Sequence, residues 1–238
     1  MRHTLATIGL GPLLLLQARH VRRVTPRLPE ASGERQGELG NGPLLRLLIA
    51  GDSAAAGVGA ELQTQALSGQ LAQLLAADFR VSWTLVATTG HTTAQALQQL
   101  RELPEARYDV VVTSLGVNDV TGRTPTPLWL RQQAELVELM RQRFQARLVL
   151  LSGLPPMHVF PALPQPLRWY LGAQAQRYNT GLQAWSQGRD GLEFLPLDFP
   201  PDTALMASDG FHPGPGAYSV WAQQLASRIR GHWNERRA

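Results

Sequence analysis

Short apolar runs and longer amphipathic stretches alternate along most of this chain. The runs are LLRLLIA (44–50), VSWTLVA (81–87), YDVVVTSLG (108–116), ARLVLLSG (146–153) and LEFLPL (192–197). Each is short and rich in Val, Leu or Ile, as strands buried on both faces are. Between and after them lie LSGQLAQLLAADF (67–79), TAQALQQLRE (93–102), LWLRQQAELVELMRQRF (128–144), WYLGAQAQRYNTGLQAWSQ (169–187) and AYSVWAQQLASRIRGHW (217–233). These carry apolar residues three and four apart, the spacing of helices with one buried face. The alternation predicts a five-stranded parallel sheet with helices on both sides. Right-handed crossovers make this a doubly wound, three-layer α/β/α domain, with strand order 2-1-3-4-5 expected. Ligands of such sheets bind at the carboxyl ends of the strands.

The first 43 residues break this pattern and are read as a separate N-terminal segment and linker, leaving 44–238 as the folded domain. The apolar stretch Leu5–Leu16 is shorter than the roughly 20 residues a membrane span needs. Arg19, His20, Arg22 and Arg23 follow it where a secretory leader would carry a small-residue cleavage site. Residues 5–23 therefore suit either contact with an anionic membrane surface or packing on the domain's own surface. Residues 25–43, with their Pro, Gly, Glu and Ser, read as the linker.

Composition removes several function classes. There is no cysteine, so disulfides, thiolate catalysis and cysteine metal sites are excluded. Nothing points to an oxidising compartment, and a cytoplasmic location with membrane association as an option is the expectation. The net charge of +4 and a basic isoelectric point invite a nucleic-acid reading. The charge is badly placed for it. Residues 1–46 and 228–238 hold 11 Arg and 4 acids, whereas 47–227 hold 11 Arg and 14 acids. A basic footprint on the folded body is missing, so no nucleic-acid partner is expected.

Chemistry-bearing residues gather where the strands are predicted to end. Gly51-Asp52-Ser53 follows the first strand, TTGHTT with Gly90 the second, and GVNDVTG with Asn118 and Asp119 the third. SDGFHPGPGAY, with Asp209 and His212, precedes the last helix. A phosphate cradle at residues 51–60 fails, because no Lys-Ser/Thr pair or correctly spaced glycine triplet is present. A packing turn would account for the glycines and leave Ser53 idle. A serine nucleophile needs a base, and the base needs an orienting group. Asp209 and His212 lie three residues apart, close enough in a tight loop for the carboxylate to fix the imidazole tautomer. An unperturbed histidine titrates near ~6.5 and is mostly free base at neutral pH. The backbone N–H groups of Ser53 and Gly90 and the side-chain amide of Asn118 would supply oxyanion donors.

These four blocks, in this order, resemble the SGNH hydrolases, a branch of the GDSL esterases and lipases. GDS (51–53), Gly90, GVND (116–119) and DGFHP (209–213) carry the resemblance, which spans residues 44–231. It implies a flavodoxin-like three-layer fold, a triad of Ser53, His212 and Asp209, and an oxyanion hole from Ser53, Gly90 and Asn118. It also implies metal-free hydrolysis of small-molecule esters or thioesters, with no cofactor. Ala54 stands where the GDSL signature has Leu, and TTGHTT lacks the Asn or Ser often found beside the glycine. An O-deacetylase or acyltransferase acting on carbohydrate would use the same residues. A catalytically idle lipid- or partner-binding module would not need all four.

Other residues have plainer readings. Asp52 and Asp119 are expected to brace their turns through backbone hydrogen bonds, and His91 to sit on a surface loop. His20, His158 and His232 have no partners at metal-ligand spacing. Asp198 and Asp202 are weaker alternatives to Asp209. Met157, Phe160 and Trp169, in the Pro-rich stretch 153–172, either wall an acyl pocket or cover the core.

Overall fold

A computed structural model describes residues 2–197 and 202–235; Asp198 lies outside them. Helix α1 (Arg2–Val24) leads into β1 (Gln36–Leu39) and β2 (Leu44–Gly51). Then come α2 (Leu67–Leu75), β3 (Arg80–Ala87), α3 (Thr93–Glu102), β4 (Val110–Ser114), α4 (Val117–Gly122) and α5 (Thr126–Gln142). The chain continues through β5 (Leu148–Ser152), α6 (Leu167–Ser186), β6 (Leu192–Leu195) and α7 (Pro215–Glu235). The sheet order is β1-β3-β2-β4-β5-β6, and every pairing is parallel except β1 with β3. The five parallel strands thus follow the expected order.

The β2 side chains show how the layers form. Leu45, Leu47 and Ile49 point into one core with Leu71, Trp221 and Leu225 of α2 and α7. Leu48 and Ala50 point into the other, with Leu97, Leu136 and Tyr178 of α3, α5 and α6. Strict alternation of this kind is the strand period of two. β4 and β5 are buried at every position, which is why their sequences read as unbroken apolar runs. Helix α3 is fixed at its start by a capping box: Thr92 Oγ1 accepts from Gln95 N, and Gln95 Oε1 accepts from Thr92 N at 2.9 Å.

The sheet has six strands where five were expected. The extra strand, Gln36-Gly37-Glu38-Leu39, is exposed at all four positions. It is an edge held by backbone pairing with β3 and by an exposed Glu38–Arg80 ion pair at 3.6 Å, so it leaves no apolar pattern in the sequence. It also changes the reading of residues 25–43. Ala31 is buried in the core, its N–H donates to Ala56 O at 3.3 Å, and Gln63 N donates to Ser32 O at 2.8 Å. Glu30 accepts from Thr89 N and Thr89 Oγ1 at 2.9 and 2.7 Å, and from Arg35 at 3.0 Å. Donors from Thr89 and Arg35 together outweigh burial and hold the Glu30 carboxyl below its ordinary value. The expected linker is therefore woven into the domain. The short α4 also escaped the sequence pattern, being only six residues long.

Helix α1 packs on α6. Leu14 and Val21 are buried, Gln17 Nε2 donates to Gln165 O at 2.7 Å, and Leu167 N donates to Gln17 Oε1 at 3.1 Å. Its other faces carry exposed Leu13, Leu15 and Leu16. Among the described residues no helix is long and apolar enough to cross a membrane.

Two truncations separate these contributions. Removing residues 1–24 takes away the buried side chains of Leu14 and Val21, each worth about 1.5–3 kcal/mol, and each kcal/mol lost lowers Tm by roughly 2–4 °C in a domain of this size. Removing residues 1–40 also deletes Ala31, Glu30 and β1, and is expected to lower Tm by several degrees more, as measured by circular dichroism. Equal melting of the two truncated chains would mean that 25–40 contribute nothing to the fold.

Candidate active site

Three loops leave the sheet side by side. Gly51, at the end of β2, pairs with Ala87 on one side and Ser114 on the other. The turns that follow these strands hold Ser53, Gly90 and Asn118. The fourth component arrives from the far end of the chain, in the loop before α7. Gly59 lets that loop come close: it has φ +100°, and a Cβ placed on it would lie 2.2 Å from Pro213 O. Tyr218 on α7 anchors the same region by donating to Val58 O at 2.8 Å.

Ser53, His212 and Asp209 form one hydrogen-bonded line. His212 Nε2 lies 3.0 Å from Ser53 Oγ, and His212 Nδ1 lies 2.5 Å from Asp209 Oδ2. Asp209 Oδ1 accepts from Phe211 N at 2.9 Å and His212 N at 3.0 Å. Burial of Asp209 opposes its ionisation. The hydrogen bonds from the His212 ring and from these two amides outweigh that cost and hold the carboxyl below its ordinary value. Asp202, the weaker alternative, instead accepts from Ala204 N at 2.8 Å.

Asn118 and Asp52 meet across the gap between β2 and β4. Asn118 Nδ2 donates to Asp52 Oδ2 at 3.1 Å and to His91 O at 3.0 Å. Both hydrogens of the amide are thus engaged in the ligand-free site. Among the described residues no acceptor meets the backbone N–H of Ser53 or Gly90. Gly90 has φ +86° and is exposed, with open space where a Cβ would stand. Glu30, through Thr89, ties down the turn that carries it.

Asp52 braces its turn through the backbone, as expected, whereas Asp119 ties its segment to the start of α3. Asp52 Oδ1 accepts from Ala54 N at 3.1 Å. Asp119 Oδ2 accepts from Thr93 N and Thr93 Oγ1 at 2.9 and 2.8 Å, and Trp129 Nε1 donates to the same hydroxyl at 3.0 Å. Sequence reasoning missed two positions. Asp52 also holds the Asn118 side chain, and Glu30 fixes the Gly90 loop from a segment read as linker. The contact partners of both lie more than fifty residues away, so no local pattern signals them.

A cavity of about 120 Å³ opens beside Ser53 and His212. Its walls are mainly apolar and include Leu154, Val159, Phe160, Leu205, Met206 and Trp221. Of the three residues weighed as pocket wall or core cover, Phe160 lines the cavity. Met157 is fully buried in the core, and Trp169 stands 44% exposed, away from both roles.

Comparisons with known proteins point to one family. A model of the GDSL-like lipase/acylhydrolase family matches residues 49–220. A GDSL-like esterase of Mycobacterium tuberculosis is 27% identical, the match covering 97% of this chain and 80% of that protein. Among solved structures, a lipase from a goat rumen metagenome superposes with TM-score 0.64 at 18% identity, covering 77% of this chain and 96% of that one. A carbohydrate esterase of family 2 from Corynascus, with a carbohydrate-binding domain, gives TM-score 0.62 at 16% identity, covering 82% of this chain and 68% of that one. At such identities the structural matches speak for the fold alone.

Burial pushes the Asp52 carboxyl from its ordinary 3.8 up to about 7, against the pull of the Ala54 N–H and of His212. Between these two values the unfolded chain has released the proton and the folded chain has kept it. Stability should therefore fall as pH rises from about 4 to about 7, and level off above, by up to a few kcal/mol from this group. Asp52→Asn should flatten that slope in urea unfolding measured across the range. An unchanged slope would mean that Asp52 is ionised in the folded protein throughout.

Proposed function

The chain belongs to the GDSL-like lipase/acylhydrolase family and is a carboxylic ester hydrolase, and we propose that it works through an acyl-serine intermediate on Ser53. The observation that carries this reading is the line from Asp209 through His212 to Ser53, at 2.5 and 3.0 Å. With its proton on Nδ1 and held by Asp209, the imidazole offers Nε2 to the serine hydroxyl. Nε2 takes the Oγ proton as Oγ attacks the acyl carbon. The tetrahedral intermediate then collapses, and the same proton goes to the departing alcohol oxygen. Water repeats the sequence from the other side and frees the acid.

The developing oxyanion is met by the amides of Ser53 and Gly90, which hold no other acceptor among the described residues, and by the Asn118 side chain. Asn118 must give up one of its present acceptors to do this. The His91 carbonyl is the acceptor released, and Asp52, itself fixed by Ala54 N, keeps the amide plane in place through the exchange. The apolar cavity beside Ser53 favours an acyl group longer than acetyl, because an acetyl methyl would leave most of the wall formed by Leu154, Phe160 and Met206 without contacts. A cytoplasmic setting with membrane-surface contact through residues 5–23 belongs to the same reading. What supports it is exposed Leu13, Leu15 and Leu16 on α1, followed by Arg19 and Arg23.

Ser53→Ala and His212→Ala should each lower kcat on p-nitrophenyl butyrate by about 10⁴–10⁶-fold, and the double variant should be no worse than the poorer single, because the groups act as a unit. Near-normal turnover by purified Ser53→Ala would refute the mechanism.

Asn118→Ala should lower kcat by about 10²–10³-fold and move KM far less, since the charge it meets exists only in the transition state. Asn118→Asp should be at least as damaging. A folded Asn118→Ala protein with unchanged melting and near-normal kcat would remove Asn118 from the oxyanion site.

A further inference from the structure

Phe211 separates two depressions. One is the apolar cavity beside Ser53; the other is a groove of about 320 Å³ that reaches from Phe211 and Asn118 to the inner face of α1. Leu14, Ala18 and Val21 of α1 and Leu167 and Leu171 of α6 make its apolar walls. Arg22 and Arg123 also line it, and no acidic residue does. Among the described residues neither guanidinium is in an ion pair. Arg123 closes α4 with φ +65°, the left-handed conformation in which helices usually end on glycine. A long cationic side chain is thus held where glycine would fit with less backbone strain. Helix α1, which makes one wall of the groove, precedes the segment 49–220 that the family model matches, while the other lining residues lie within that segment.

We propose that the groove binds the alcohol portion of the ester, and that this portion is an apolar chain ending in a carboxylate or phosphate. The inference rests on the reading of Ser53 as the nucleophile. The departing oxygen must lie at His212 Nε2 to receive its proton. The Phe211 ring stands 5.3 Å from that imidazole, so a chain leaving the oxygen passes Phe211. The acyl group fills the cavity that Ser53 and His212 themselves line. The alcohol chain then runs along Leu167, Leu171 and Val21 and brings its anion to Arg22 and Arg123. Guanidinium groups match carboxylate and phosphate oxygens in pairs, and such charge-assisted contacts are stronger than neutral ones. In this arrangement the N-terminal helix is one wall of the substrate site.

The test uses the full chain and two monomeric esters with the same butyryl group, 8-butyryloxyoctanoate and its methyl ester, which differ by one charge. The wild-type protein should prefer the acid in kcat/KM by about tenfold, with the preference shrinking as salt is raised. Arg22→Ala and Arg123→Ala should each reduce that ratio several-fold, mainly through KM. The double variant should bring it near one, and Arg22→Lys should keep part of it. Arg101→Ala, in an exposed ion pair with Glu135, should leave the ratio as it was. A wild-type ratio near one, or a ratio that survives the double substitution, would overturn the proposal. So would loss of co-sedimentation with phosphatidylglycerol vesicles in the double variant while the ratio persists, since the arginines would then serve a lipid surface. Turnover of p-nitrophenyl butyrate without any discrimination between the two esters defeats this proposal alone. Failure to turn over all three esters defeats the reading of Ser53, and the proposal with it.

Discussion

Parallel pairing holds Gly51 level with Ala87 on one side and Ser114 on the other, and the site depends on that register. A slip of one residue would turn every side chain of β2 to the wrong core. It would also carry Ser53 out of line with Asn118. The three turns emerge at one height because three buried strands end together. The loop before α7 then needs only a close approach, which Gly59 permits, to bring His212 to Ser53.

Three aspartates near this edge show how local donors decide the state of a buried carboxyl. Asp209 accepts from three N–H groups of the His212 loop, and they outweigh its burial. Asp52 accepts from Ala54 N and the Asn118 amide, and burial wins. Asp119 accepts from Thr93 and still stays above its ordinary value through burial. The carboxylate beside the histidine is therefore kept charged, as the proposed imidazolium requires. The two that brace loops do so at a cost that shifts toward the protonated form. Placing Asn118 against Asp52 fixes the direction of the amide before any ester arrives, so little reorganisation is left for the reaction.

Much of this was legible in the chain itself. Of the five parallel strands, β4 and β5 are buried throughout and β2 nearly so, while β3 and β6 are partly exposed; all keep enough apolar residues to read as runs, and their connecting helices keep a clear spacing. Gly51-Asp52-Ser53, Gly90 and Asn118 were legible as strand-end residues because the alternation predicts where strands stop, and Asp209 and His212 as residues of the loop before the last helix. What failed to show was structure stabilised by other means. β1 is exposed and largely polar, and its pairing with β3, not burial, makes it a strand. Glu30 gains its place from Thr89, and Asp52 gains its second partner from Asn118, both over long separations. The basic and apolar halves of residues 5–23 were visible, but not that Leu14 and Val21 face the domain while Arg22 borders a groove reaching Asn118. Contacts of this kind arise only once distant elements meet, and no local period encodes them.

The central claim is that the ester carbon becomes bonded to Ser53. Acid quenching during turnover of p-nitrophenyl butyrate, followed by peptide mass spectrometry, reads that bond directly. The account predicts one butyryl group per chain, on the peptide that contains Ser53 and absent from Ser53→Ala. A butyryl group on another residue, or rapid turnover with a burst of p-nitrophenol and Ser53 left unmodified, would contradict it.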